Sequence, residues 1–220
     1  MAGVTIAEQV DEMNRTRPAE PDPRMAAFAR EQAGLAHAQV PAGVAEGASL
    51  PDVDLLTVDG SPRSLTEAVG DGLAVLVLYR GAWCPYCNIT LRTYQSELLP
   101  GLRERGVDLL ALSPQKPDGS LTMKEKHDLE FAVLSDPDLA VARAIGVVTA
   151  PTEEALAAQV EIGLDLREVN ADGTTALPMP TVAIVDGGLT IRWIDVHPDY
   201  TTRTEPEEIL AALDRLEGRS

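Results

Sequence analysis

One segment of this chain is especially informative about its fold: Leu73-Ala-Val-Leu-Val-Leu-Tyr-Arg-Gly-Ala-Trp-Cys-Pro-Tyr-Cys87. Its first half, residues 73–79, is apolar throughout, which predicts a strand buried on both faces of a helix-covered sheet. Its second half brings Cys84 and Cys87, the only two cysteines in the chain, to the point where this strand ends. Pro85 lies between them and favours the first position of a helix. We therefore expect a strand, a short loop and a helix that begins at the cysteines.

From residue 47 onward the chain alternates between strand and helix patterns. Strands are predicted over residues 53–58, 73–79, 107–112, 131–134, 180–185 and 191–196. Helices are predicted over residues 65–69, 88–99, 120–128, 139–145 and 205–216, the second of them ending at Pro100-Gly101. Residues 151–176 resemble a variable insert. This alternation predicts the α/β class, with a central mixed sheet covered by helices.

The first 46 residues differ from the rest, since they are rich in Ala, Glu, Gln, Pro and Arg and show no strand pattern. Apolar residues at helical spacing predict a helix over residues 25–40, and the prolines at 18, 21 and 23 predict a linker before it. We interpret residues 1–46 as an N-terminal helical extension that packs on the rest or forms a dimer contact. Residues 47–220 then form the main domain.

Charge and length exclude several classes of function. The 220 residues carry 35 acidic and 18 basic side chains, a formal net charge of −17 that repels nucleic acids and anionic membrane surfaces. No apolar run reaches the length of a membrane-spanning helix. Glu8, Asp11 and Glu12 interrupt the region where a secretory leader would be apolar, so we expect a cytoplasmic protein.

The Cys-x-x-Cys element predicts redox chemistry. With Cys84 at the helix cap and Cys87 one turn in, the helix dipole and free amides favour the thiolate form. Side chains three residues apart on a helix have β carbons roughly 5 to 6 Å apart, close enough for a disulfide after modest adjustment. A structural zinc site needs about four Cys or His ligands, whereas the chain has two cysteines, with His37, His127 and His197 scattered singly along it. We expect no metal and no cofactor.

Other residues are candidates to support the thiols. Arg80, Arg143 and Arg203 could each hold a thiolate or an oxyanion, and Arg80 is favoured by its closeness in sequence. Trp83 is expected to form a wall beside the cysteines. Pro180 and Thr181 open a strand that could pass beside the sulfurs.

The peptide bond before Pro180 leaves two interpretations open. If it is cis, the backbone of Met179 could pair with an extended substrate next to the thiols. Otherwise Pro180 is a plain strand-entry proline.

Four segments together resemble bacterial peroxiredoxin-like proteins of the alkyl hydroperoxide reductase and thiol-specific antioxidant (AhpC/TSA) superfamily. They are Tyr79–Cys87, the region from Leu134-Ser-Asp-Pro-Asp138 to Gly146-Val147, the strand Pro180–Asp186, and the region from Pro198-Asp-Tyr-Thr201 to Glu208. The resemblance runs from about Gly47 to the end and implies a thioredoxin fold. It also implies reduction of hydroperoxides, with a thiol reductant such as thioredoxin or glutathione restoring the enzyme. Dimerisation is common among such proteins, so a homodimer is a candidate assembly.

The resemblance leaves the roles of the two sulfurs open. The peroxiredoxin motif Pro-x-x-x-Thr-x-x-Cys places Cys87 at the attacking position, with Cys84 in place of the threonine and Arg80 in place of the proline. Glutaredoxins, many of which carry Cys-Pro-Tyr-Cys, would instead make Cys84 the attacking thiol. We therefore hypothesise a thiol peroxidase with a dithiol/disulfide cycle. The alternatives are a thiol-disulfide oxidoreductase of the thioredoxin and glutaredoxin kind, and a redox-sensing binding module.

Overall fold

The computed structural model describes residues 3–16, 22, 24–42, 45–117 and 127–218. The helices are α1 Ile6–Arg15, α2 Met25–Leu35, α3 Leu65–Val69, α4 Pro85–Thr93, α5 Leu99–Arg105, α6 Ala140–Ile145, α7 Glu153–Glu161, α8 Leu166–Val169 and α9 Pro206–Glu217. The strands are β1 Asp54–Leu56, β2 Pro62–Ser64, β3 Ala74–Leu78, β4 Asp108–Ser113, β5 Ala132–Ser135, β6 Val148–Thr149, β7 Leu177–Pro178, β8 Thr181–Val185 and β9 Ile191–Val196. The prolines at 18, 21 and 23 and residues 120–126 of the predicted helix 120–128 lie outside the described residues.

Seven strands form one mixed sheet in the order β2-β1-β5-β4-β3-β8-β9. Strand β3 is parallel to β4 and antiparallel to β8, and β4 is parallel to β5. Strands β6 and β7 form a separate antiparallel pair. The predicted mixed α/β sheet is confirmed, with the strand that leads to the cysteines near its centre.

The sequence of β3 explains the two-sided core. Alternate side chains of a strand point to opposite faces, and here both faces are apolar. Val75 and Val77 pack with α1, α4, α5 and α9, whereas Leu76 and Leu78 pack with α3 and α6. Each of these four side chains is at most 3% exposed. The covered strand therefore fixes where the following loop and helix begin.

The helix after the cysteines is longer than predicted. The expected end at Pro100-Gly101 is wrong, because α4 continues through a π-helical turn, Tyr94–Leu98, into α5. A proline inside a helix lacks an amide donor and clashes with the preceding turn. Here Pro100 lies in the first turn of α5, and the wider turn before it supplies the extra room. The helical segment ends at Arg105, followed by Gly106 in the left-handed conformation.

The N-terminal segments pack on the main domain. The Glu205 carboxylate accepts hydrogen bonds from the backbone amides of Ile6 and Ala7, both at 2.9 Å, and so caps α1. Helix α2 ends at Leu35 instead of the predicted Val40, which is 49% exposed and has no core to bury it. Helix α2 packs against α7. Residues 151–176, predicted only as an insert, thus contribute a helix that supports α2. None of the helices in the described part of the chain is long and apolar enough to cross a membrane.

Candidate active site at the start of helix α4

The two cysteines lie where the sequence places them. Cys84 caps α4 with extended backbone angles, φ −83° and ψ 116°, and Pro85 is the first helical residue. Cys87 follows one turn later. Both are free thiols with fully buried side chains. Their burial means that a reactant must approach through a cavity and not across open surface.

Two side chains hold the loop between β3 and α4, one from α4 itself and one from the segment after β4. Asn88 Nδ2 donates to the carbonyl oxygens of Ala82 and Cys84, at 2.9 and 2.8 Å. The side chain of Gln115, just beyond β4, accepts a hydrogen bond from the Ala82 amide. Gly81 has a φ of 149°, and a β carbon there would lie only 2.5 Å from Trp83 Nε1. Glycine is therefore required for the chain to turn into the helix.

Cys87 lies in an environment that favours its thiolate. Burial alone would raise the pKa of Cys87, but the hydrogen bond from Cys84, the charge of Arg203 and the backbone amide of Arg80 lower that pKa well below its ordinary value. Arg203 Nη2 lies 3.3 Å from Cys87 Sγ. The other guanidinium nitrogen, Nη1, donates to the carbonyls of Tyr200 and Thr202, which fix its position.

Cys84 is shifted in the opposite direction. Burial raises the pKa of Cys84, and the hydrogen bond to Cys87 and the negative charge there raise it further. The charges of Arg80 and Arg203 oppose this rise without overcoming it. The pair is therefore best described as a Cys84 thiol that donates a hydrogen bond to a Cys87 thiolate.

Arg80 does not hold a sulfur with its side chain, contrary to the expectation from its closeness in sequence. The guanidinium instead lies over the Tyr200 ring, 3.9 Å from the centroid, and near the Trp83 ring at 5.0 Å. Arg203, also considered, makes the sulfur contact. Arg143 is exposed on α6, where its Nε donates to the Asp138 carbonyl, and it contacts neither cysteine. Arg80 instead lines the cavity on the Cys84 side of the loop.

Pro180 and Thr181 lie beside Cys87, as the sequence suggested. Together with Arg203 and His197 they line a cavity of about 10 Å³ next to this cysteine, room for about one water molecule. Thr181 Oγ1 donates to the Met179 carbonyl at 2.9 Å. No cis peptide bond occurs among the described residues, so the arrangement that required a cis bond before Pro180 is not present.

Two larger cavities share Arg80 and Tyr200 in their linings. One, of about 200 Å³, adjoins Cys84 and Trp83 and is covered by α2. The other, of about 510 Å³, extends between α2 and residues 149–154. Trp83 thus forms the expected wall beside the thiols.

Comparison with known proteins identifies the family. The AhpC/TSA family model matches residues 47–194. The chain belongs to the AhpC/TSA family. The thioredoxin-like architecture implied by the earlier resemblance is confirmed.

Curated relatives of this AhpC/TSA member carry two kinds of name. The chain is 32% identical over 110 residues to the thiol-disulfide oxidoreductase ResA of Geobacillus thermodenitrificans, covering 50% of this chain and 62% of the relative. It is 35% identical over 102 residues to the peroxiredoxin Bcp of Escherichia coli, covering 45% and 59%. The chain thus spans about three fifths of the length of these relatives.

Solved structures show the same fold. Reduced Prx3 of Vibrio vulnificus in complex with hydrogen peroxide aligns with a TM-score of 0.62 and 21% identity, over 77% of this chain and 99% of that one. The peroxidoxin BcpB of Mycobacterium tuberculosis aligns with a TM-score of 0.59 and 21% identity, over 78% and 97%.

Several residues around the site lie outside the region that the AhpC/TSA model matches. Tyr200 and Arg203 follow it, and α2 precedes it. Burial raises the pKa of Tyr200, so its hydroxyl stays protonated and donates to Glu31 Oε2 at 2.9 Å. Glu31 Oε1 accepts from the Thr152 amide at 2.8 Å. Sequence reasoning missed this link between α2 and the site, because no local pattern shows which surface an amphipathic helix covers.

Among the residues that the structure describes, no group of three or more His, Cys, Asp or Glu side chains could bind a metal ion.

Proposed function

We propose that this protein is a thiol peroxidase in which Cys87 attacks the peroxide and Cys84 resolves the product into a disulfide. The observation that carries the proposal is the contact of 3.3 Å between Arg203 Nη2 and Cys87 Sγ. The thiolate is the nucleophile in thiol chemistry, and a fixed cation beside the sulfur favours that form. The opposite shifts in the pKa values of Cys87 and Cys84 support the same assignment.

The reaction has two steps within the protein. The Cys87 thiolate attacks one peroxide oxygen, the oxygen–oxygen bond breaks, and the leaving oxygen takes up a proton to become water or an alcohol. Cys87 is then a sulfenic acid. Cys84 loses its proton and attacks this sulfur, hydroxide leaves and takes a proton as water, and a Cys84–Cys87 disulfide forms. Arg203 faces the negative charge that develops on the leaving oxygen.

The size of the site favours hydrogen peroxide over larger hydroperoxides. The cavity next to Cys87 has a volume of about 10 Å³ and is lined by Pro180, Thr181, His197 and Arg203, among others. A bulky alkyl group would have to displace one of these side chains. We expect the rate constant to decrease as the alkyl group becomes larger.

A thiol reductant is needed to complete the cycle, because the disulfide must be reduced before the next turnover. Location in the cytoplasm and assembly as a homodimer belong to this proposal as well. The homodimer is suggested by the resemblance to dimeric proteins.

A thiol-disulfide oxidoreductase is the second candidate. It is favoured by the Cys-Pro-Tyr-Cys spelling at a helix start and by relatives such as ResA and the thiol:disulfide interchange protein DsbE of Pseudomonas aeruginosa. Burial argues against it, since neither sulfur is exposed for contact with a folded protein's disulfide.

The test is the intact mass of Cys84→Ser and Cys87→Ser after one equivalent of hydrogen peroxide. We expect Cys84→Ser to gain one oxygen rapidly and Cys87→Ser to stay unmodified. Stopped-flow oxidation of the native protein should greatly exceed the rate of free cysteine. A rate equal to that of free cysteine, together with rapid reduction of insulin disulfides, would replace this proposal with the second candidate.

A further inference from the structure

The side chain of Arg80 is a buried cation without an anionic partner. It is 5% exposed, and its guanidinium makes no hydrogen bond or ion pair with any residue in the described part of the chain. The rings of Tyr200 and Trp83 are its contacts. A buried charge ordinarily has a paired or hydrogen-bonded partner, because its removal from water is costly. The guanidinium therefore has donors available for a ligand.

The cavity of about 200 Å³ on the Cys84 side is where such a ligand can bind. Arg80 is the only charged side chain among the described residues that line it. Most of the others are apolar or aromatic, including Phe28 and Leu164. Gln159 also lines the cavity, and its buried Oε1 has no hydrogen-bond partner. The site thus offers fork-shaped donors for an anion, one free acceptor and a reactive sulfur.

We propose that this cavity binds a low-molecular-weight thiol that carries a carboxylate, and that this thiol reduces the disulfide by attacking Cys84. The inference rests on the proposed disulfide cycle and names the chemical class of its reductant. A planar carboxylate matches the guanidinium fork of Arg80. The cavity is smaller than the roughly 300 to 1,000 Å³ of sites for drug-sized ligands, so it suits an amino-acid-sized thiol and not a segment of a reductant protein.

The chemistry assigns different roles to the two sulfurs. The thiolate of the reductant attacks Cys84 Sγ, the disulfide breaks, and Cys87 leaves as a thiolate. A thiol of low pKa is the better leaving group, and the pKa of Cys87 is lowered. A second reductant thiolate then attacks the ligand sulfur of the mixed disulfide. Cys84 leaves and takes up a proton, and two reductant molecules depart as their disulfide, having supplied two electrons.

The charge of the whole protein makes this proposal distinctive. A net charge of −17 repels anionic thiols from the molecule as a whole. Without a local cation at the disulfide, a cationic thiol should react fastest and an anionic thiol slowest. The proposed site predicts that the anionic thiol reacts faster than the neutral one.

The experiment compares three thiols on protein oxidised with diamide. The probes are 3-mercaptopropionate, 2-mercaptoethanol and cysteamine, each normalised to its rate with 2-hydroxyethyl disulfide. We expect the anionic-to-neutral rate ratio to exceed one in the native protein and to fall by about tenfold in Arg80→Met, the effect of one charge-assisted contact. Arg80→Lys should keep part of the preference. Arg143→Met, which removes an equal charge from an exposed position, should keep all of it.

A structural role of Arg80 would slow all three thiols together and leave their ratios unchanged. Equal ratios in the native protein and in Arg80→Met would overturn the proposal, as would reduction by thioredoxin alone. Because diamide forms the disulfide without peroxide, a failure of peroxidase activity would appear separately in the peroxide assay. The two proposals can therefore fail independently.

Discussion

The Cys87 side and the Cys84 side of the dithiol differ although the two residues share one helical turn. Cys87 faces a cavity of about 10 Å³ and a guanidinium from the segment before α9. Cys84 faces a cavity of about 200 Å³ beneath α2. The helix dipole acts on both residues, yet the pKa of Cys87 is lowered and that of Cys84 is raised. The helix start favours the thiolate form at both positions, and the groups that surround each cysteine determine which sulfur is ionised.

This division suits two chemically different reactants. On the Cys87 side the small space and the fixed cation favour a small peroxide. On the Cys84 side the wider cavity and the unpaired Arg80 favour an organic anion. Each sulfur is thus reached through a different cavity. Substitutions beside Cys87 should mainly affect the peroxide step, and substitutions beside Cys84 should mainly affect reduction of the disulfide.

Removal of the Arg203 charge should have the largest effect. In Arg203→Met the thiolate of Cys87 and the leaving oxygen lose their fixed cation, and we expect the peroxide step to slow by about a hundredfold. Stopped-flow oxidation by hydrogen peroxide measures it. Arg192→Met, which removes a half-exposed arginine from β9, is the matched control and should react normally. A native rate in Arg203→Met would show that the Arg203 charge does not activate Cys87, and the proposed difference between the Cys87 and Cys84 sides would not hold.

Loss of the Glu31 carboxylate should come next, and it affects the Cys84 side. Glu31→Ala leaves the Tyr200 hydroxyl and the Thr152 amide without their acceptor, so we expect the free energy of unfolding to fall by about 2 kcal/mol. Urea denaturation measures this change. The control is Arg30→Ala, which breaks a pair with Glu154 whose side chains are 64% and 66% exposed. That change should cost at most about 0.5 kcal/mol. Equal losses in both variants would mean that the buried contacts do not hold α2.

Replacement of Cys84 should slow the peroxide step less than the loss of the Arg203 charge does. Cys84→Ala removes the hydrogen bond to Cys87, one of the causes that lower the pKa of that residue, so the pKa should rise. We expect single-turnover sulfenic acid formation at neutral pH to slow by up to about tenfold, the loss of one hydrogen bond to a charge. Cys84→Ser keeps a hydroxyl donor and should be affected less.

The pH dependence of the Cys87 reaction gives a second test of the hydrogen bond from Cys84. The lowered pKa of Cys87 keeps the native rate near its plateau at neutral pH, and the rate should fall as acid protonates the thiolate. In Cys84→Ala the same fall should occur at higher pH, which iodoacetamide labelling across the pH range measures. Identical pH profiles in the native protein, Cys84→Ala and Cys84→Ser would show that Cys84 does not donate a hydrogen bond to the Cys87 thiolate.

Much of the fold could be predicted from local sequence. The apolar run 73–79 and the cysteine-proline helix start each predict an element that the structure contains. Errors occurred where an irregular helical turn or a contact between residues distant in sequence determines the outcome. The helix predicted to end at Pro100 continues because a π-helical turn accommodates the proline. The sequence favours Arg80, whereas Arg203 makes the sulfur contact, because closeness in sequence does not give the direction of a side chain.

Local sequence alone predicts an α/β domain with two thiols at the start of a helix after a buried strand. These features depend on residues that are neighbours in the chain, so propensity and periodicity suffice to predict them. Which sulfur carries the charge, and which one lies beneath α2, depends on contacts between residues that are distant in sequence. Arg203 is 116 residues from Cys87 in sequence. Electrostatic interactions depend on distance in space, and folding alone brings such residues together.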